Sequence, residues 1–465
     1  MSRTLPVDTQ GKPKTPPTLV IDPAAPTVHV RSYHVITPLF GGGVEPQQAD
    51  PVTTVRSSEV RGHLRFWWRA TRAGRYGVNG LKQMKEAEDR LWGSTEGQSL
   101  VEVEVRPVAV GTEISTYRDH TGRPRHVGDP VSPLSYAAFP LRNTEARLGE
   151  RRRPPGGLRF GVAFDLAIML PTDPLLRDDV LAALWAWETF GGVGARTRRG
   201  FGALHCHMVH GAVGVGPWLP PTREAESVET WLRESLQQHV LAGQAPLGVP
   251  LLVRDQLPKV GRTQQVGTFA GGFESKVRQL LANGGFPAPI PDDLLRALVV
   301  WYYPIEKMKE FRQSRRQSQS GTRFGRSYWP EPDEIRWRFS GGFRGSHSAP
   351  VSATKTRTNK FPRAAFGLPI VFQFKDNELD STTLQGTDHD RLASRLILRP
   401  LACRDGRFAS VATILNAPAL PPGGLRLKDA QDEGGVSTAS LTAAEATFPP
   451  LSGKTDVLQA FLDTL

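Results

Sequence analysis

Two periods of apolar residues run through the N-terminal half of the chain. Phe160, Val162, Phe164, Leu166 and Ile168 fall on alternate positions after Arg159, the pattern of a strand with one face in a core. Val101, Val103 and Val105 alternate with Glu102, Glu104 and Arg106 in the same way. A third strand spans 28–36 and is ended by Pro38 and the triple glycine Gly41-Gly42-Gly43. The helical period appears at 58–72, where Val60, Leu64, Trp67 and Thr71 share a face and Ser57 or Ser58 supplies the cap. A second helix at 81–91 ends at Trp92-Gly93-Ser94, and Val180, Leu184 and Trp187 mark a third over 180–190. A strand at 201–210 completes the order β-α-β-β-α-β, a ferredoxin-like unit. Between its second and third strands lies a long basic insertion at 111–157, the kind of length that is functional or disordered.

The C-terminal half has a weaker pattern. Val228, Trp231, Leu232 and Leu236 describe an amphipathic helix, and shorter helices are expected at 273–281 and 292–300. Strands are expected at 367–374, 394–401 and 408–415, the last two joined by an Asp405-Gly406 turn. Loops are expected at 386–391 and 423–440, and a short closing helix at 456–465. The class is α+β throughout.

Size and charge narrow the function. The chain has 465 residues, a formal net charge of +12 and far more arginine than lysine, a balance that favours a polyanionic partner. Two cysteines, Cys206 and Cys403, exclude a disulfide framework or a multi-cysteine zinc motif. No apolar run approaches a membrane span, and residues 1–26 are polar and proline-rich rather than signal-like. A cytoplasmic protein without membrane contact is expected.

The candidate chemistry is cationic. Residues 191–204 place five glycines, among them Gly192, Gly194, Gly200 and Gly202, around Arg196, Arg198 and Arg199. Bare amides beside guanidinium forks suit phosphate oxygens. The segment fits neither the Walker pattern nor the dinucleotide pattern, since Thr197 stands where a glycine is needed. On the 58–72 helix, Arg61, Arg65, Arg69 and Arg72 form a stripe with no acid at i+4 and Trp68 at its border. Four such cations repel by about a few tenths of a kcal/mol per pair unless an anion neutralises them. A third basic stretch, 307–329, interleaves Arg312, Arg315, Arg316 and Arg326 with aromatic residues, which suits single-stranded nucleic acid. It also reads as a linker. The triple glycine and the 191–204 loop are expected to meet in one surface. Signals for catalysis are sparse: His63 as a general acid, His205 and His207 on one strand face, and Asp119 and Asp129 in the insertion.

Several of these segments carry a resemblance. Thr37-Pro38-Leu39-Phe40 with the triple glycine, Val60-Arg61-Gly62-His63-Leu64-Arg65-Phe66-Trp67-Trp68-Arg69-Ala70 and the 191–204 loop resemble the RAMP superfamily of CRISPR proteins. The helix segment is similar to that of the first RAMP subunit of type III-B (Cmr) effector complexes. So are the stretches at 325–333 and 361–369. The resemblance implies two ferredoxin-like (RRM-like) RAMP domains with long insertions: a disordered tail at 1–26, a domain at 27–213 and a second at 214–465. It implies a non-catalytic subunit of an antiviral ribonucleoprotein, near the 3′ end of the guide RNA. Its partners would be CRISPR guide RNA, single-stranded target RNA and other RAMP subunits, with no cofactor and no metal. RNA contacts are expected from Gly41, Gly42 and Gly43, the stripe with Trp68, the glycine-arginine loop and the basic stretch. Two other readings stay open: a metal-independent endoribonuclease using His63 to process guide RNA, and a scaffold whose arginines bind acidic neighbours.

Overall fold

The computed structural model describes residues 27–43, 48–141, 156–211, 216–317, 324–340, 360–374, 381–428 and 439–465. The expected tail at 1–26 lies outside them. β1 (Thr27–Val35) leads through α1 (Ser57–Arg72) and α2 (Leu81–Trp92) to β2 (Glu102–Ile114). The small hairpin of β3 (Thr116–Arg118) and β4 (Pro124–His126) follows, then β5 (Leu158–Leu170), α3 (Pro174–Phe190) and β6 (Leu204–His210). The sheet order is β2-β5-β1-β6, antiparallel at every pairing, which is the ferredoxin-like arrangement. The alternate residues Phe160 to Ile168 are all buried, as their period requires.

Local chemistry moves several boundaries. α3 begins six residues before the expected 180 because Asp173 accepts the amides of Leu175 and Leu176 (2.8 and 3.2 Å) and Pro174 occupies the first turn. α1 is not capped by a serine side chain: Arg56 is at the cap position, and Ser57 Oγ accepts the Val105 amide from β2 (3.0 Å) instead. β2 continues to Ile114, so the first residues assigned to the insertion are strand. The insertion is folded where it is described. Tyr117, Val127, Leu134 and Leu141 are buried against the helices of the C-terminal half.

That half contains α4 (Ala225–His239), β7 (Lys259–Val260), α5 (Thr263–Asn283) and α6 (Asp292–Arg312). The hairpin of β8 (Arg315–Gln317) and β9 (Phe324–Ser327) precedes α7 (Glu331–Ser340), β10 (Ile370–Phe372) and β11 (Thr382–Gly386). β12 (Leu396–Ala402), β13 (Phe408–Ile414), β14 (Leu425–Lys428) and α8 (Val457–Leu462) complete it. Its strands form two three-stranded antiparallel sheets, β12-β13-β7 and β10-β11-β14. The Asp405-Gly406 turn is present, with the Gly406 amide donating to Cys403 O (3.1 Å). Ile397, Leu401, Ala409 and Val411 bury themselves in the core of the ferredoxin-like unit, so the halves share apolar interior. The basic stretch expected as a linker is not one at its start, since Lys307 to Arg312 form the last turn of α6.

Candidate nucleic-acid interface

The two glycine segments do meet. The Gly202 amide donates to Pro38 O (2.9 Å) and the Ala195 amide to Phe40 O (2.8 Å). Thr37 Oγ1 donates to Gly200 O (2.6 Å) and accepts the Ala203 amide (2.8 Å). Most of the glycines serve this closure rather than exposure. Gly192, Gly200 and Gly202 are buried, and so is Gly41. A Cβ on Gly202, whose φ is +61°, would lie 1.8 Å from Val193 O. The expectation that these four present bare amides to a ligand is therefore corrected: the loop spends them on packing against itself and its neighbours. Gly42, Gly43 and Gly194 are partly exposed, and the Gly194 amide donates to Glu59 Oε1 of α1 (2.5 Å).

The arginine stripe is also corrected. Arg72 is buried, with Nε donating to Asp179 Oδ1 (2.6 Å) and Nη1 to His239 O (2.5 Å). Trp68 is 1% exposed and directs Nε1 toward Asp179 (3.4 Å), so it is a core residue with no face for a base. Arg65 Nε and Arg69 Nη1 both donate to Glu88 Oε1 (2.7 Å each), and Arg65 Nη2 reaches Asp89 (3.2 Å). The charges that the stripe lacks on its own helix come from α2 and α3. Arg61 keeps no carboxylate partner among the described residues.

In the loop, Arg199 is buried and donates from Nη2 to Phe366 O (2.9 Å), which corrects its assignment to an open surface. Arg198 donates to Ser394 O, and its guanidinium carbon lies 5.5 Å from the Phe66 ring centre. Arg196 lies 4.8 Å over the Phe139 ring. Neither pairs with a carboxylate among the described residues. Burial holds the Arg198 guanidinium below the usual arginine range. Arg56 donates to Gly42 O at the same junction. Arg312 donates to Tyr136 Oη (3.0 Å), and Arg315 is exposed on β8. Arg316 and Arg326 lie on β8 and β9, with side chains outside the described residues.

The residues considered for catalysis have structural partners. His63 Nε2 lies 3.6 Å from Glu59 Oε1. Asp119 pairs with Arg125 (2.8 Å), and Asp129 accepts the His126 amide (2.9 Å). His207 stacks on His34 at 4.2 Å, and burial, then the two neighbouring imidazoles, push His205 down to about 4. Among the described residues, no three of His, Cys, Asp and Glu are grouped to hold a metal ion.

Sequence reading missed Glu59, Phe66, Tyr136, Phe139 and Arg399. Only Glu59 left a local signal, four residues before His63. Arg399, on β12, donates to Trp187 O (3.2 Å), Gly191 O and Leu204 O (2.7 Å), gripping the loop at both ends from the other half.

The RAMP superfamily model matches residues 32–205. Two curated proteins of Pyrococcus furiosus are similar to this chain. The CRISPR system Cmr subunit Cmr1-1 is 30% identical over 186 residues, 40% of this chain and 49% of that protein, so the match spans about half of that relative's length. The subunit Cmr1-2 is 28% identical over 183 residues, 37% of this chain and 92% of that one. Among solved structures, apo Cmr1 from Pyrococcus furiosus is 14% identical with a TM-score of 0.45, over 86% of this chain and 94% of that chain. A chain of the type III-B Cmr-beta complex bound to cognate target RNA is 13% identical with a TM-score of 0.45, over 84% of this chain and 94% of that chain. Residues 32–205 of this chain are thus similar to the RAMP superfamily, and the chain resembles the Cmr1 subunits of CRISPR systems.

Proposed function

We propose that the chain is a non-catalytic RNA-binding subunit of a type III-B CRISPR (Cmr) ribonucleoprotein. It contacts guide RNA and target RNA near the guide 3′ end, and works in the cytoplasm beside other RAMP subunits. The two curated relatives, both named as Cmr subunits, support the assembly. One observation carries the RNA reading. At the junction of the two glycine segments, Arg196 and Arg198 pair with no carboxylate among the described residues and lie over the Phe139 and Phe66 rings, and Arg61 on α1 likewise has no such partner. Cations kept beside aromatic faces, next to backbone with little side-chain bulk, suit a single strand whose phosphates pair while its bases stack.

The footprint is smaller than the arginine pattern implies. Arg65, Arg69 and Arg72 hold α1 to α2 and α3, so the proposed strand path runs over Arg61, Phe66 and the loop rather than along the helix. Ultraviolet crosslinking of the assembled complex with peptide-level mapping tests this. RNA attached to peptides containing Phe66 and Phe139 is the expected result. Crosslinks from this chain to protein alone would favour the scaffold reading.

A further inference from the structure

Beneath the loop, two of its own guanidinium groups and one from the end of α6 converge with no acid among the described residues. Arg199 is 9% exposed; its Nη2 donates to Phe366 O, while Nη1 is buried with no acceptor. Arg312, at the end of α6, donates from Nη1 to Tyr136 Oη (3.0 Å) and lies 5.3 Å over the Phe366 ring. Its Nε is buried with no acceptor. Arg196 stands over Phe139 with a φ of +58°, a left-handed conformation that a residue bearing a side chain rarely adopts. Burial, then the charges of Arg312, Arg196 and Arg198, pushes Arg199 down to about 9. Burial and Arg312 push Arg196 down to about 10, with Tyr136 acting in the opposite direction. Arg196 and Arg199 remain cationic at neutral pH.

Other buried arginines among the described residues have a carboxylate or carbonyl oxygens to offset their charge, although Arg31 Nη1 and Arg159 Nε also lack an acceptor. Arg31 pairs with Glu188 (2.6 Å) and Arg72 with Asp179 (2.6 Å). Arg399 has no carboxylate in contact, but its donors are spent on carbonyl oxygens. The Arg196–Arg199–Arg312 group differs: it has like charges, open donors and no anion among the described residues. A group of this kind is stabilised by an oxyanion, through charge-assisted hydrogen bonds from several sides. A tetrahedral phosphate offers enough oxygens for three forks, whereas a carboxylate offers two.

We propose that Arg196, Arg199 and Arg312 form a binding site for a single phosphate-type oxyanion at the junction of the two halves. The site shares Arg196 with the proposed RNA surface but rests on the open donors of Arg199 and Arg312, so it does not require that reading. Because Arg196 and Arg199 belong to the ferredoxin-like unit and Arg312 to the C-terminal half, an occupant would brace one against the other. A free phosphate and a phosphate of an RNA backbone share this chemistry.

The test is thermal unfolding of the full chain in orthophosphate and in chloride at matched ionic strength. Phosphate should raise the midpoint saturably, by about 1.5 °C at tenfold excess over its dissociation constant. Arg312→Gln and, independently, Arg196→Gln should abolish the increment, while Arg278→Gln, in an exposed ion pair outside the site, should keep it. A short oligouridylate that protects and competes with orthophosphate identifies a backbone phosphate; protection by orthophosphate alone identifies a free one, and either supports the site. Equal midpoints in the two salts, or an increment surviving both site substitutions, would overturn it. Failure here leaves the crosslinking result untouched, so the two readings fail separately.

Discussion

Arg399→Met is the most informative single change to the scaffold behind the interface. Arg399 is 1% exposed and sends its guanidinium from β12 into the ferredoxin-like unit. There it donates to the carbonyls of Trp187 and Gly191 at the end of α3 and of Leu204 at the start of β6. Methionine fills similar volume and offers no donor, so the Gly191 and Leu204 carbonyls lose a buried partner, whereas Trp187 O keeps the Gly191 amide (2.8 Å). Each costs about 1–3 kcal/mol when left unsatisfied. Against this stands the relief of burying one charge fewer; burial is the main reason the Arg399 guanidinium is pushed down to about 9. A net loss of about 3 kcal/mol follows. Urea unfolding with an unchanged slope reads it directly. Arg399→Lys, able to reach some of the same carbonyls, should fall between the two. A loss below about 1 kcal/mol for Arg399→Met would refute the view that this side chain holds the loop in place.

Two further predictions concern stability. Gly202→Ala places a Cβ against Val193 O at a φ of +61°, where backbone rather than a flexible side chain must give way. It should lower the thermal midpoint and weaken RNA binding together, whereas Gly62→Ala, with nothing within 4 Å, should leave the midpoint within about 2 °C. His239 stacks on Trp185 at 4.9 Å; burial and then Arg72 push its imidazole down to about 4. The unfolded chain, titrating near pH 6.5, takes up that proton first. Stability is therefore full above pH 6.5 and falls as pH drops toward 4, by about 3 kcal/mol for this group. The difference between the pH profiles of the native chain and His239→Gln isolates that contribution.

The ferredoxin-like order was legible because its strands alternate cleanly and α1 carries one apolar face, while α3 is apolar enough to be buried on every side from Ala182 to Phe190. The meeting of the two glycine segments followed from that order. The fate of the arginines did not, because neutralising charge came from elements distant in sequence. Glu88 lies 19 residues from Arg69, and Asp179 lies 107 from Arg72. An i+4 rule inspects one helix only. Glycine content misled in the same direction: at Gly202 it marks backbone packed against backbone, which looks in sequence like backbone bared to a ligand. α5 runs to 21 residues against the shorter helix expected, because Gly267, Gly271 and Gly272 interrupt its pattern without breaking it. Phe66 and Phe139 gained meaning only once the fold set them beneath Arg198 and Arg196.

A division of labour follows, in which the acid-free cations at the junction bind RNA while the clamped ones hold the fold. It is tested by affinity for a short single-stranded RNA across a salt series, comparing Arg61→Ala/Arg198→Ala with Arg65→Ala/Arg69→Ala. The first pair should bind more weakly, with a log–log salt slope shallower by about 1.4. The second should keep the slope and lose thermal stability. A shallower slope for the second pair, with the first unchanged, would contradict the account.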